Sequence, residues 1–315
     1  MSLAPILTVA VSSRALFHIE DGHEVFERQG QSHFDAYMRA RADVPLTPGS
    51  AFSLVRKLLA LNSTRGVFGR DRVNVVLLSR NSPDAGVRIM NSIQHHGLDI
   101  ESAVFGAGER RFKFAKAMGA HLFLSANDAD VIRSIESGTA AATLVPKDTQ
   151  DSADDVDNIV RIAFDGDSCL FSDESDEYCR EHGLAAFVRS ESESRDIPMG
   201  PGPLKGLLQA LIELQASPDI GDRVRIAMVT ARSIPAHARP INTIHHWGLR
   251  LDEAVFAAGL PKGPFLAAIG ADAYFDDVRK HIDSATLHDV CAGHVPFGRG
   301  QGLTPVERPT AAFLA

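Results

Sequence analysis

The amino-acid sequence contains the same pattern twice, at an offset of 151 residues. His95–Leu98 aligns with His246–Leu249, and Ala103–Phe105 aligns with Ala254–Phe256. About a third of the positions from Val73 to Leu124 are identical to their partners, and the alignment has no gap. A chain of 315 residues exceeds the usual size of one domain, whereas a unit of about 150 residues suits one. We therefore predict two tandem units with the same fold.

Each unit alternates short apolar segments with segments of helical character. Strands that alternate with helices form crossover units, which give a mainly parallel sheet with helices on both faces. The predicted fold is α/β, with two tandem Rossmann-like three-layer units. Pro5–Val11 is predicted as the first strand of the N-terminal half. In the C-terminal half the predicted strands are 159–164, 225–229, 253–256 and 273–275, and the predicted helices are 203–215, 236–247 and 262–269.

A polar and acidic segment, 147–155, lies between the two units and has the composition of a linker. We place the boundary near residue 152. Residues 1–151 then form the first domain, residues 152–300 form the second, and residues 301–315 form a tail.

Composition and charge exclude several classes of protein. The formal net charge of −8 argues against binding to a nucleic-acid polymer, which favours a basic protein face. No segment approaches the roughly 18 apolar residues that would cross a bilayer, so no membrane partner is expected. The three cysteines, Cys169, Cys179 and Cys291, are too few and too irregularly spaced for a disulfide framework or a zinc site. These features favour a reducing, cytoplasmic location.

Polar residues follow the predicted strands of the C-terminal half, at the strand ends where open parallel sheets bind their ligands. Side chains alternate along a strand, so Asp165 and Asp167 lie on one side with Cα atoms about 6.6 Å apart, where one metal ion or one phosphate can contact both. An isolated Asp-x-Asp also suits a turn or a helix cap. The polar residues at the other strand ends are Thr230, Arg232, Lys262, Asp276 and Asp277.

This order of residues resembles the haloacid dehalogenase superfamily of phosphotransferases, in which Asp-x-Asp is followed by a threonine, a lysine and an acid pair. More narrowly, the chain is similar to the type I cytosolic 5′-nucleotidase family. The likeness covers nearly the whole chain, including Pro48-Gly49 and Gly86-Val87-Arg88 in the first half. The segments that carry it in the second half are Ala163–Asp167, Leu170–Ser175, Gly202–Gly206, Val229–Ser233, Ala258–Pro264, Phe275–Asp277 and His294–Gly298.

The resemblance implies a role for each of these strand-end residues. Asp165 is expected to attack the phosphorus of a nucleoside monophosphate and form an aspartyl phosphate. Asp167 is expected to protonate the leaving ribose 5′-oxygen and then to activate water. Thr230 and Lys262 are expected to bind and neutralise the transferring phosphoryl group.

A cofactor also follows from the resemblance. Mg²⁺ is expected to bind carboxylate oxygens of Asp165 and Asp276 and the backbone carbonyl of Asp167, and Asp277 is either a further ligand or an acid of the outer shell. Without Mg²⁺ and Lys262, the acids of this region would repel an anionic substrate.

The first half lacks these chemical groups. The positions that match Asp165, Asp167, Thr230, Lys262, Asp276 and Asp277 hold Val11, Ser13, Ser79, Arg111, Ser125 and Ala126. The first half is therefore expected to bind no metal and to catalyse no reaction. We expect it to pack against the second half and to form part of the wall of the substrate site. Arg80 and Asn81 could then contact the base, the ribose or an effector nucleotide, or they could be solvated loop residues.

The polar segment 172–200 lies where the superfamily carries its cap domain. A small cap would shield the aspartyl phosphate, so Ser172, Asp173 and Phe187 are candidates to contact the substrate, with a charged surface flap as the alternative. Arg232 could contact the substrate or form a surface salt bridge.

The sequence therefore predicts a Mg²⁺-dependent 5′-nucleotidase with one catalytic centre. Two alternatives remain open, namely a phosphatase with the same chemistry on another small phosphomonoester, and a non-catalytic nucleotide sensor. The expected partner is a nucleoside monophosphate, and assembly into a homo-oligomer is left open.

Overall fold

The structure is a computed structural model and describes residues 6–63, 72–106, 110–146 and 157–298. The predicted linker at 147–155, the boundary near residue 152 and the tail at 301–315 lie outside these residues.

The described residues form one continuous sheet in the order β3-β2-β1-β4-β5-β10-β9-β6-β7-β8. Strands β1, β4, β5 and β9 are buried along their whole length, as expected for parallel strands with helices on both faces. The predicted α/β class with a mainly parallel sheet is confirmed. The strands are β1 (Leu7–Ser12), β2 (Val73–Leu78), β3 (Ser102–Val104), β4 (Leu122–Ser125), β5 (Ala141–Leu144), β6 (Val160–Phe164), β7 (Val224–Thr230), β8 (Glu253–Phe256), β9 (Ala273–Asp276) and β10 (Cys291–His294).

The two halves of the sheet have the same strand order. From the centre of the sheet to its edge, the strands of the first half follow in the order β5, β4, β1, β2, β3. Those of the second half follow in the equivalent order β10, β9, β6, β7, β8. All neighbours within a half are parallel, whereas β5 and β10 pair antiparallel, with His294 opposite Thr143 and Gly293 opposite Leu144. The carboxyl ends of the strands in the two halves therefore point in opposite directions.

Helices connect the strands and cover the sheet. Every strand and helix predicted for the C-terminal half is present, with ends shifted by at most two residues. None of the described helices is long and apolar enough to cross a membrane. The helices are α1 (Ser13–Leu16), α2 (Glu20–Gln29), α3 (Gln31–Ala40), α4 (Phe52–Ala60), α5 (Pro83–His95), α6 (Arg111–Ala117), α7 (Asp128–Glu136), α8 (Glu174–His182), α9 (Leu184–Glu193), α10 (Lys205–Gln215), α11 (Ala238–His246), α12 (Gly263–Ile269) and α13 (Arg279–Thr286).

A helical hairpin follows the first strand of each half. Helices α2 and α3 are joined at Gly30, and α8 and α9 at Gly183, each with a positive φ of about 80° that favours glycine. Isolated antiparallel bridges close the base of each hairpin, Phe17 with Pro48 and Phe171 with Pro201. The segment 172–200, predicted as an insertion, is thus a pair of helices with a closed base.

Gly202, directly after the second bridge, lies against backbone. A Cβ atom at this position would lie 2.3 Å from the carbonyl oxygens of both Cys169 and Phe171. Because backbone cannot move aside as a flexible side chain can, we expect Gly202→Ala to destabilise the protein by about 1–3 kcal/mol. Chemical denaturation measures this change.

Gly206 provides the matched control. It lies on α10, and a Cβ atom there would meet nothing within 4 Å. Gly206→Ala should leave stability unchanged or raise it by up to about 1 kcal/mol, because alanine favours helix more than glycine does. Equal stability of the two variants would contradict the close approach at Gly202.

Candidate active site

The carboxyl ends of β6 and β9 lie side by side and carry two buried acids. The two strands pair in parallel with Phe164 opposite Phe275, and each phenylalanine is followed by an aspartate, Asp165 or Asp276. The backbone N–H of Asp165 donates to the carbonyl oxygen of Phe275 at 2.8 Å. Strand pairing therefore brings two carboxylates together at the ligand-binding edge of this half of the sheet.

Lys262 lies between these two carboxylates. It directly precedes α12, and its Nζ is 2.8 Å from Oδ1 of Asp165 and 2.7 Å from Oδ2 of Asp276. The residue is 0% exposed. Burial alone would lower the pKa of Lys262, but the two carboxylates raise it above its usual value. The ammonium group therefore stays charged inside the protein.

Asp276 accepts hydrogen bonds from four groups. Besides Lys262, the Tyr274 hydroxyl and His281 Nδ1, at 3.0 Å, contact Oδ2, and the backbone N–H of Val278 donates to Oδ1 at 2.7 Å. Burial would raise the pKa of Asp276, but His281 and Lys262 lower it to about 2. Asp276 is therefore a fixed anion.

Asp167 is held by Arg232 in a two-pronged ion pair. Arg232 Nε donates to Oδ2 of Asp167 at 2.7 Å, and Nη2 donates to Oδ1 at 2.6 Å. Nη1 of the same arginine donates to Glu191 on α9, and Arg239 donates to the other oxygen of Glu191 at 2.8 Å. Arg232 thus ties the Asp-x-Asp segment to the helical hairpin. It was expected to contact substrate or to form a surface salt bridge, and the ion pair that it forms is buried.

Three acids of the site have raised pKa values. Burial, followed by the charges of Asp165, Asp276 and Asp176, raises the pKa of Asp277 to about 9. Burial and the charge of Asp167 raise the pKa of Asp176 to about 7. Burial also raises the pKa of Asp165, and Lys262 opposes this rise. The buried cations therefore do not neutralise all of the carboxylates.

A cavity of about 330 Å³ opens onto these residues. Thr230, 2% exposed, lies at the end of β7 in its wall. The helical hairpin supplies Asp176, Cys179, Leu184 and Phe187, so one side of the cavity is acidic and another is apolar. The strand-end side of the wall contains Asp165, Asp167, Thr230, Arg232, Asp277 and His281.

Two residues predicted to contact substrate lie outside the cavity wall. Ser172 Oγ donates to Oε2 of Glu174 at 3.2 Å, and Asp173 lies against Gly298, whose added Cβ would be 3.1 Å from it. Phe187, the third candidate of the segment, does line the cavity. The base of the hairpin therefore faces away from the space that its middle part encloses.

Arg80 and Asn81 also lie away from this cavity. They line a separate cavity of about 60 Å³ at the carboxyl ends of the N-terminal strands, which point in the opposite direction. Arg80 Nη2 donates to Oδ1 of Asp130 at 2.8 Å and to Oδ1 of Asn127 at 3.2 Å. The antiparallel pairing of β5 with β10, which has no signal in the sequence, separates these residues from the acids of the second half.

The acids fit a divalent cation. Ligand atoms of Asp165, Asp276 and His281 lie within 4.8 Å of one another, and Asp277 adds a buried carboxyl whose pKa is raised by burial and then by the charges of the neighbouring acids. Mg²⁺ binds through oxygen atoms and keeps several waters, which suits Asp165 and Asp277, the two of these carboxyl groups that line the cavity. The side chain of Asp167 is engaged with Arg232, so its backbone carbonyl is the atom left to serve the metal.

The structure adds residues that the sequence did not single out. Tyr274 stands two residues before Asp276 on the same strand, so strand periodicity was a usable signal. His281 is on the first full turn of α13 and reaches back to the strand end. Glu191 contacts Arg232 only because α9 packs onto the loop after β7, and no local pattern indicates this contact.

The raised pKa of Asp277 predicts how the free energy of unfolding depends on pH in protein from which EDTA has removed metal ions. Its pKa is about 9 in the folded protein and 3.8 in an ordinary carboxyl. Between these values the folded state keeps a proton that the unfolded state releases, so stability falls as pH rises. We expect the melting temperature to fall from about pH 5 to about pH 9, and to fall less in Asp277→Asn.

The exposed Asp222, before β7, serves as the control. Asp222→Asn should follow the pH curve of the unsubstituted protein. Identical slopes for Asp277→Asn and the unsubstituted protein would show that Asp277 is not a source of this dependence.

Comparisons with known proteins identify the family of this chain. A family model described as 5′-nucleotidase matches residues 1–302. The human (Homo sapiens) protein cytosolic 5′-nucleotidase 1B is 37% identical to the chain over 291 residues, which cover 89% of the chain and 47% of the human protein. The chain thus spans about half the length of this curated relative, and no solved structure matches it. The chain belongs to the 5′-nucleotidase family.

Proposed function

We propose that the chain is a Mg²⁺-dependent 5′-nucleotidase that hydrolyses nucleoside 5′-monophosphates through an aspartyl phosphate. The observation that carries this proposal is the buried contact of Lys262 with Asp165 and Asp276, of which Asp165 lines a cavity of about 330 Å³. Family membership and the name of the human relative support the substrate class. The relative is named as cytosolic, and we propose the same compartment for this chain.

In the first step a carboxylate oxygen of Asp165 attacks phosphorus, and the bond from phosphorus to the ribose 5′-oxygen breaks. Asp167 gives its proton to that leaving oxygen. In the second step Asp167 takes a proton from water, the water oxygen attacks phosphorus, and the bond from phosphorus to Asp165 breaks. The products are a nucleoside and inorganic phosphate, and both acids return to their starting states.

The acid role of Asp167 requires a change at Arg232. Both oxygens of Asp167 accept hydrogen bonds from the guanidinium, at 2.7 and 2.6 Å, whereas the acid role needs one of them to face the leaving oxygen. Substrate binding must therefore draw Arg232 away from at least one oxygen. The phosphate of the substrate is a suitable competitor, because arginine binds phosphate oxygens as well as it binds carboxylates.

The other residues hold and neutralise the phosphoryl group. Thr230 supplies a hydroxyl donor, and Lys262 offsets the charge on Asp165 and on the phosphoryl oxygens. Asp165, Asp276 and the backbone of Asp167 would hold Mg²⁺, with Asp277 beside them. When bound, the ion would supply positive charge to phosphate oxygens in a site that is otherwise acidic.

We propose that the two halves are tandem copies of one unit, within the haloacid dehalogenase superfamily, and that only the second is catalytic. The equal strand order of the halves and the helical hairpin after each first strand support this view. In the second half the hairpin would act as a small cap. Leu184 and Phe187 give it apolar surface toward the cavity, which suits contact with a nucleoside.

Asp165→Asn tests the nucleophile. The amide cannot form the phosphorylated intermediate efficiently, so we expect release of phosphate from nucleoside monophosphates to fall by about 10³-fold or more. Asp222→Asn is the folded control.

A panel of nucleotides and sugar phosphates tests the substrate class. Equal rates of phosphate release from both groups would favour a phosphatase that acts on a broader range of phosphomonoesters. Nucleotide binding without any phosphate release would favour a sensor.

Arg232→Lys tests the hold on Asp167. Lysine offers a point charge in place of a planar fork, so Asp167 loses its fixed orientation and Glu191 loses a partner. We expect kcat to fall by about ten-fold or more. Arg239→Lys is the matched comparison, because Arg239 contacts Glu191 and Glu174 but not Asp167. A loss in Arg239→Lys as large as in Arg232→Lys would contradict a specific role for the Asp167 contact.

A further inference from the structure

We propose that the N-terminal half binds a phosphate-sized oxyanion, without a metal, in the small cavity at the carboxyl ends of β1, β2 and β4. The cavity measures about 60 Å³. Its chemically active walls are Ser13, Arg80, Asn81, Arg111, Ser125 and Asp130. The site is separate from the catalytic cavity and is a binding site only.

Two buried donors in this cavity lack partners within the part of the chain that the structure describes. Nε of Arg111 and Nδ2 of Asn81 are both buried and donate to no hydrogen-bond partner there. Arg111 is 2% exposed, and an unsatisfied donor at such a position costs free energy. An oxyanion in the cavity would satisfy donors of this kind, because each of its oxygens accepts several hydrogen bonds.

Ser13 and Ser125 add hydroxyl groups to the wall, and Ser79 contacts Ser13 without lining the cavity. Ser13 Oγ and Ser79 Oγ lie 3.1 Å apart, and Ser79 Oγ accepts the backbone N–H of Asn81 at 3.1 Å. Ser125 Oγ accepts the backbone N–H of Asn127 at 3.2 Å. These bonds fix the loops after β1, β2 and β4 around one point.

The charge of this cavity is opposite to that of the catalytic one. Its wall has three arginines, Arg14, Arg80 and Arg111, and one acid, Asp130, which contacts both Arg80 and Arg111. The catalytic cavity instead has four aspartates and one arginine. Burial, with Arg80 and Arg133 nearby, lowers the pKa of Arg111 to about 9, so it remains charged at neutral pH and carries positive charge that Asp130 alone does not balance.

The internal repeat explains how such a site arises from the same fold. Arg111 stands at the position of Lys262, and Ser79 at that of Thr230, so a cation and a hydroxyl remain. Ser13 and Ser125 stand where the second half has Asp167 and Asp276. Hydroxyl groups thus stand in place of carboxylates. An anion can therefore bind here without a metal cation between it and the protein.

The size of the cavity limits its ligand. It has less than a fifth of the volume of the catalytic cavity, so it has room for a phosphate group and not for a nucleoside. The phosphate can be free, or it can be the end of a nucleotide whose remainder lies outside.

Calorimetric titration of the full chain with inorganic phosphate, in EDTA, tests the proposal. We expect one saturable site that Arg111→Gln weakens by about ten-fold or more and that Asn81→Ala also weakens. Arg110→Gln, an exposed neighbour, is the matched control and should bind as the unsubstituted chain does. Asn81→Ala keeps the test decisive if Arg111→Gln does not fold.

Thr230→Val separates the two cavities, because Thr230 lines the catalytic cavity and not the N-terminal one. Loss of phosphate binding in this variant would place the phosphate in the catalytic cavity and overturn the proposal, as would the absence of binding in EDTA or equal weakening by Arg110→Gln. In the presence of Mg²⁺, Asn81→Ala should release phosphate from substrate at the unsubstituted rate, because the two sites share no residues.

Competition identifies the source of the phosphate. A nucleoside monophosphate that displaces inorganic phosphate would support the site and extend its ligand to nucleotides. Displacement by the parent nucleoside, which has no phosphate, would contradict it. The test needs no catalytic turnover, so its outcome is independent of the proposed nucleotidase activity.

Discussion

The contact of Lys262 with Asp165 and Asp276 is the interaction on which the C-terminal half depends. Lys262 is 0% exposed, and a buried ammonium group stays charged only beside groups of opposite charge. Its Nζ lies 2.8 Å from Oδ1 of Asp165 and 2.7 Å from Oδ2 of Asp276. The contact joins the ends of β6 and β9 to the start of α12. Removing Lys262 would take away the buried cation that both acids share, so the same contact holds the fold together and prepares the site.

A second constraint comes from the way in which the halves join. Because β5 and β10 pair antiparallel, the strand ends of the two halves point in opposite directions. Each half therefore has its own edge of carboxyl strand ends. The C-terminal edge gathers acids around Lys262, and the N-terminal edge gathers arginines around Asp130.

Much of the C-terminal half could be predicted from the sequence, because its strands are short, apolar and followed at once by polar residues. Asp165, Thr230 and Asp276 were identified in this way, and the structure brings them to one edge. His281 and Glu191 were not identified, because their contacts depend on how α13 and α9 pack. Whether Arg80 and Asn81 contact the substrate was left open, because the sequence does not reveal the direction in which the halves meet.

The most direct test of the catalytic centre is to trap the covalent intermediate. The protein would be quenched during turnover of a nucleoside monophosphate with Mg²⁺, the acyl phosphate reduced with borohydride, and the peptides analysed by mass spectrometry. Our account predicts conversion of Asp165, and of no other aspartate, to homoserine. A label on another aspartate, or turnover without any label, would contradict it.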